Sequence, residues 1–169
     1  HRALSSRPVY TLQSLATFHI APTPKHGGPY NSITTLPDGA FAPYFTPDGK
    51  TIFFWSIDPV PDGIFSVPTG GGIPTQLQTG CSSDPNCLGD DNPAVSPNGR
   101  ELLAVRVLGP IDAQGCPAFV GIYRFRIDGP HTQQISANGS PCVVDVEPPW
   151  SPGRPRLIFP YQDGTGLSS

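Results

Sequence analysis

The sequence predicts an all-β chain built from stacked copies of one antiparallel, four-stranded unit. Three observations lead there. The first is a repeated phrase. Pro43-Tyr44-Phe45-Thr46-Pro47-Asp48-Gly49-Lys50-Thr51-Ile52-Phe53-Phe54 returns as Pro93-Ala94-Val95-Ser96-Pro97-Asn98-Gly99-Arg100-Glu101-Leu102-Leu103-Ala104, and in decayed form as Pro148-Pro149-Trp150-Ser151-Pro152-Gly153-Arg154-Pro155-Arg156-Leu157-Ile158-Phe159. The second is its spacing, about 50 and then about 55 residues, the length of one propeller blade with its loops. The third is a shared second half: Gly63-Ile64-Phe65 leads to Gly71-Gly72-Ile73-Pro74, and Gly121-Ile122-Tyr123 leads to Asp128-Gly129-Pro130. Short aromatic and β-branched runs between turns are strands. Four of them in a meander of this length make a blade.

Taken in order, residues 1–17 carry no copy of the phrase and form an N-terminal extension. Residues 18–40, with Phe18-His19-Ile20-Ala21 and then Ile33, match the later half of a blade. Residues 41–90 and 91–142 are whole blades, and 143–169 begin another. A half, two wholes and a half amount to about three blades, whereas propellers close with about four to eight. The expected architecture is therefore an incomplete or partner-completed propeller. Asp48-Gly49 and Asn98-Gly99 are expected to supply the positive φ angles of two-residue hairpin turns. Phe45, Val95 and Trp150 align with one another, which assigns Trp150 to packing.

The phrase Ser/Thr-Pro-Asp/Asn-Gly-Lys/Arg, then an apolar strand, then Ile-Phe/Tyr and Gly-Gly-x-Pro, resembles the TolB-type propeller repeat. That repeat also occurs in the propeller domains of prolyl-oligopeptidase-like enzymes and in exported bacterial proteins. The resemblance covers roughly residues 18–164. It implies antiparallel blades and an exported protein, and it leaves open whether the whole protein is a binding module or part of an enzyme.

Composition narrows the function. Formal net charge is −3 with no basic cluster, so binding to nucleic-acid phosphates is not expected. No apolar run approaches a membrane span, and no signal peptide is visible. The chain starts at His1 and has no methionine, which suits a processed or partial chain.

Four cysteines, Cys81, Cys87, Cys116 and Cys142, occur without a Cys-x-x-Cys pair, so disulfides are favoured over zinc. In an up-down-up-down blade, the middle loop and the crossover to the next blade share one end. All four cysteines fall in such segments. The natural pairs are Cys81–Cys87 and Cys116–Cys142, and the expected location is periplasmic or extracellular.

No Gly-x-Ser-x-Gly elbow, His-Glu-x-x-His helix or phosphate-binding loop is present, and Gly70-Gly71-Gly72 lies between strands. No catalytic residues, cofactor or dedicated metal site are expected. The sialidase Asp-box spacing also fails at Thr46-Pro47-Asp48-Gly49-Lys50-Thr51. The best candidates for a ligand or hard cation are Asp90, Asp91, Asp145 and Glu147, aligned at the start of successive innermost strands, with Asp84 nearby. The alternative role for these carboxylates is to hold the crossover by hydrogen bonding to backbone N–H groups. The functional expectation is a non-catalytic, extracytoplasmic module for protein binding or scaffolding. Its partner would be another chain, further blades or a further copy in an oligomer or filament. The second expectation is the propeller part of a prolyl-oligopeptidase-like peptidase or another exported hydrolase.

Overall fold

The computed structural model describes residues 9–14, 17–22, 32–34, 36, 39–57, 62–129, 131–136 and 150. They form a two-stranded sheet, β1 (Val9–Ser14) with β2 (Thr17–Pro22), and two four-stranded antiparallel sheets. The first four-stranded sheet orders β3 (Phe41–Phe45), β4 (Thr51–Ser56), β5 (Gly63–Pro68) and β6 (Thr75–Gln76) as a meander. The second does the same with β7 (Cys87–Val95), β8 (Glu101–Ile111), β9 (Pro117–Arg126) and β10 (Thr132–Gln134). The fold is all-β and the sheets are open blades of an incomplete propeller. Among the described residues, no helix is long and apolar enough to cross a membrane.

The repeat is geometric as well as verbal. The backbone N–H groups of Ile33, Leu77 and Ile135 donate to the carbonyls of Ile20, Ile64 and Ile122 at 2.9, 2.8 and 2.8 Å. These bonds join the third and fourth strand positions of three successive blades. By this correspondence β1 is a second strand, so the early partial blade starts by Val9, inside the stretch assigned to an extension. Val9–Ser14 carries no copy of the repeated phrase, so this strand leaves no mark in the sequence.

The turns also differ from expectation. The Gly49 N–H donates to the Thr46 carbonyl at 2.8 Å, and the Thr46 N–H to the Thr51 carbonyl at 2.9 Å. Only the glycine has positive φ, 69° at Gly49 and 71° at Gly99; Asp48 and Asn98 do not. Each hairpin therefore closes over four residues, with Pro at the first central position of a type I turn and Gly in the left-handed region after it. The Asp48 carboxylate accepts from Thr46 Oγ1 at 2.6 Å and from the Lys50 N–H at 3.1 Å, and Asn98 Oδ1 repeats this with Ser96 and Arg100 at 2.7 and 3.0 Å. Those bonds hold the Asp48 carboxyl below the usual carboxylate range, the Thr46 hydroxyl contributing most.

Strand alternation sends successive side chains to opposite faces, and each blade is buried on both. Ile52 and Phe54 of β4 join Ile20, Phe65 and Val67 in one cluster. Phe53, from the other face of β4, joins Ile64, Leu102, Ala104 and Phe125 in a second. Leu103 and Val105 of β8 join Ala94, Val120 and Ile122 in a third. Phe45, Val95 and Trp150 each enter one of these clusters in turn. The Trp150 indole N–H also donates to the Ala94 carbonyl at 2.8 Å. Trp55 is partly buried and stacks on Phe41 at 4.7 Å.

Candidate functional site

The chemistry of the described residues concentrates where the crossover from the first whole blade enters the second. β7 begins at Cys87, several residues before the repeated phrase, and its register with β8 places Asp90 opposite Arg106. The Arg106 guanidinium donates from Nε to Asp90 Oδ1 at 2.8 Å, and from Nη2 to Asp90 Oδ2 at 2.9 Å and to the Thr79 carbonyl at 3.0 Å. The Thr79 hydroxyl also donates to Asp90 Oδ2. Tyr123 and Phe125 sit under the guanidinium, with ring centroids 4.7 and 5.3 Å from its central carbon. Cation–π contact and the two-pronged ion pair thus neutralise a charge taken out of water. The Thr132 hydroxyl donates to the Thr79 carbonyl at 3.2 Å, tying the outermost strand to the same crossover.

The crossover itself is stapled. Cys81 opens a single 3-10 turn, Cys81–Ser83, and is disulfide-bonded to Cys87 across a Cα separation of 5.2 Å. The Asp84 carboxylate accepts from the Asn86 N–H at 2.9 Å, closing the loop between them. Cys87 lies opposite Leu108, and Cys116 closes the turn between β8 and β9, where its N–H donates to Asp112 Oδ1 at 2.9 Å. These three cysteines therefore share one end of the second blade. Cys116 is disulfide-bonded, while the Cys116–Cys142 pairing lies outside the described residues, as Cys142 does.

The candidate acids separate into different environments. Asp90 is fully buried, and Arg106 and Thr79 occupy its oxygens, so it does not present an open ligand at a mouth. The physical reason is the early start of β7, which puts Asp90 inside the sheet rather than in a loop before it. Asp90 also lies within 4.8 Å of the Cys81 and Cys87 sulfurs, but these are bonded to each other and so have no thiolate to offer an ion. Asp91 pairs with Val105 in the register. Its Oδ1 is buried with no hydrogen-bond partner. Burial, then the charges of Asp90 and Asp62, push its carboxyl up to about 7. Asp145 and Glu147 lie outside the described residues.

Asp62 and Gly89 are points the sequence did not mark. Asp62 forms a parallel bridge with Gly89, and the Asp90 N–H donates to the Asp62 carbonyl at 3.0 Å, so the backbones of the two whole blades are joined there. A Cβ on Gly89 would stand 2.5 Å from the Asp62 Cβ, so glycine is the residue that permits the approach. Arg106 did carry a signal: one cation inside the apolar run Leu102-Leu103-Ala104-Val105-Arg106-Val107-Leu108 needs a buried partner.

Comparison with solved structures places this fold among TolB-type propellers. A putative TolB from Agrobacterium tumefaciens matches with a TM-score of 0.62 and 21% identity over 79% of this chain and 48% of that one. TolB from Acinetobacter baumannii matches with a TM-score of 0.64 and 17% identity over 96% of this chain and 40% of that one. An oligogalacturonate lyase from Vibrio parahaemolyticus matches with a TM-score of 0.58 and 9% identity over 80% and 37%. The chain thus spans less than half the length of each. No family model matches the sequence, and neither does any curated protein.

Proposed function

We propose that this chain is a non-catalytic segment of an extracytoplasmic β-propeller that serves protein binding or scaffolding. The observation that carries the reading is how its polar chemistry is used. Asp90, Arg106 and Thr79 are buried in mutual hydrogen bonds, and the Cys81–Cys87 disulfide staples the crossover beside them. These groups secure one blade to the next. The disulfide supports an oxidising compartment, periplasmic or extracellular. Further blades, of the same protein or of another chain, would cover the sheet faces at either end of the segment, because a blade left open exposes apolar surface and strand edges.

Sedimentation velocity on the isolated 169-residue chain and on its whole reading frame tests this. The isolated segment is expected to self-associate and the longer protein to sediment as a discrete species. A well-folded monomer of the segment, with protected amides in β1 and β10, would contradict it. A second reading, the propeller portion of an enzyme, is favoured by the likeness to the lyase. Turnover of a peptide or oligogalacturonate by the whole reading frame, lost on one substitution, would select that reading.

A further inference from the structure

The two whole blades align position by position through their Pro43 and Pro93 phrases, and that alignment sets Asp91 against Phe41. Phe41 pairs with Trp55 in the register and stacks on it at 4.7 Å. Asp91 occupies the corresponding place opposite Val105. A carboxyl therefore stands where the sister blade has an aromatic ring. Its Oδ1 is buried and unpartnered. Asp90 precedes it, and Asp62 belongs to the other blade; both act on it as like charges. The Arg106 guanidinium is committed to Asp90, whose two oxygens it spans. The Asp62 to Asp90 backbone hydrogen bond and the Asp62–Gly89 bridge that join the blades lie at the same place.

We propose that Asp91 makes this blade-to-blade junction a proton-operated latch, closed while the carboxyl is protonated and loosened when it ionises. Protonated, Asp91 removes one of three like charges and lowers the cost of burying its oxygens. Ionised, it repels Asp62 and Asp90 at the junction where Gly89 lies against Asp62. The direction follows from linkage. The folded carboxyl is held up to about 7, above its ordinary value of 3.8, so the folded state binds the proton more tightly than the unfolded one. Its contribution is complete at pH values below 3.8 and is lost as the pH rises to about 7. Asp62 is pushed upward by burial and adds to the same trend.

Two measurements on the intact protein test the latch. Hydrogen exchange of the Asp90 amide, corrected for intrinsic base catalysis, reads opening at the junction. Its protection is expected to fall by on the order of tenfold or more between about pH 5.5 and 8, one pH unit of linked titration being worth that much. Asp91→Leu, which restores an apolar side chain as in the sister blade, and Asp91→Asn are both expected to lose most of this pH dependence, leaving only the smaller part that the partly buried Asp62 contributes. The second measurement is a carbon-13 NMR titration of the Asp91 carboxyl, with Asp62→Asn expected to lower its midpoint while leaving the fold intact. A midpoint below 5, or a loss of protection as large in Asp91→Leu as in the wild type, would overturn the proposal. So would recovery of protection at pH 8 on adding calcium or magnesium, since the carboxyls would then be ion ligands.

Discussion

The two whole blades share their turns and their buried seams, and they part company at one end. In the first, Ala40 and Ser56 are both fully buried, and the Ser56 hydroxyl donates to the Gly39 carbonyl at 2.7 Å. The corresponding positions of the second blade hold Asp90 and Arg106. The second blade also has longer strands, with β8 running 11 residues against 6 for β4. Its entry carries a disulfide, and its Asp91 stands where the first has Phe41. Both blades bury alternating apolar residues on two faces, so both are equipped to stack. The differences lie outside the repeated phrase. Stacking is thus encoded by what recurs, while the charged, stapled and extended features belong to one blade alone.

The ionic pair is the sharpest way to break that asymmetry. Arg106→Met removes the counter-charge and leaves Asp90 buried with the Thr79 hydroxyl as its remaining side-chain donor. Stranding one member of a buried pair costs roughly 3–5 kcal/mol. The double variant Asp90→Leu/Arg106→Met exchanges the pair for apolar volume and is expected to recover most of that loss, as such exchanges are often neutral. Urea unfolding of wild type, single and double variants reads both values. A cost under about 1 kcal/mol for the single variant would show that the network is not what secures the crossover.

The disulfide comes next in size. No cysteine precedes Cys81, so the entry to the first whole blade has no matching staple. Cys81 and Cys87 are six residues apart, and closing so short a loop is worth about 2 kcal/mol on the chain-entropy account. Cys81→Ser/Cys87→Ser is expected to lower stability by that amount. Because the staple acts on the unfolded chain, amides that exchange by global unfolding should lose protection in both blades, with an added local loss around the 3-10 turn and the start of β7. Loosening confined to the turn, with global stability unchanged, would mean that the staple does not act through the unfolded chain.

The sequence exposed the blade repeat because turn chemistry and core alternation are local properties. Gly49 and Gly99 announce positive φ, Pro47 and Pro97 announce the turn, and Phe45, Val95 and Trp150 share one place in the phrase. Two features were hidden for physical reasons. β1 carries no copy of the phrase, and strand-forming residues without its Pro-Asp/Asn-Gly turn give the sequence nothing to align. The Asp90–Arg106 pair depends on cross-strand register, and that register shifts between Asp91 and Ala94. Counting back from Pro93 therefore misplaces the acids, setting Asp90 in an open mouth when it lies inside the sheet. The two-residue turn failed for a simpler reason: each Pro-Asp/Asn-Gly turn starts one residue earlier, with proline at its first central position, and proline's fixed negative φ suits a type I turn there.

The smallest expected effect tests whether the blades are equivalent at the backbone level. Both first strands carry a register shift beside the proline, between Phe41 and Tyr44 and between Asp91 and Ala94. The residue before each proline has positive φ, 46° at Ala42 and 48° at Asn92. Asparagine visits that region at little cost, because its short polar side chain can bond locally, whereas alanine brings its Cβ against the following carbonyl and loses about 1 kcal/mol or more. The first blade thus holds a strain that the second avoids. Ala42→Asn should relieve it and raise stability by about 0.5–1 kcal/mol, and Asn92→Ala should introduce it at a similar cost. The two substitutions exchange the same pair of side chains in opposite directions, so their effects should add to near zero in the double variant unless the contacting strands β3 and β7 couple them. Unfolding midpoints for the two single variants and the double variant would show this. Opposite signs would establish that one backbone device serves both blades. A neutral Ala42→Asn would mean that the first strand of the earlier blade accommodates its alanine without strain.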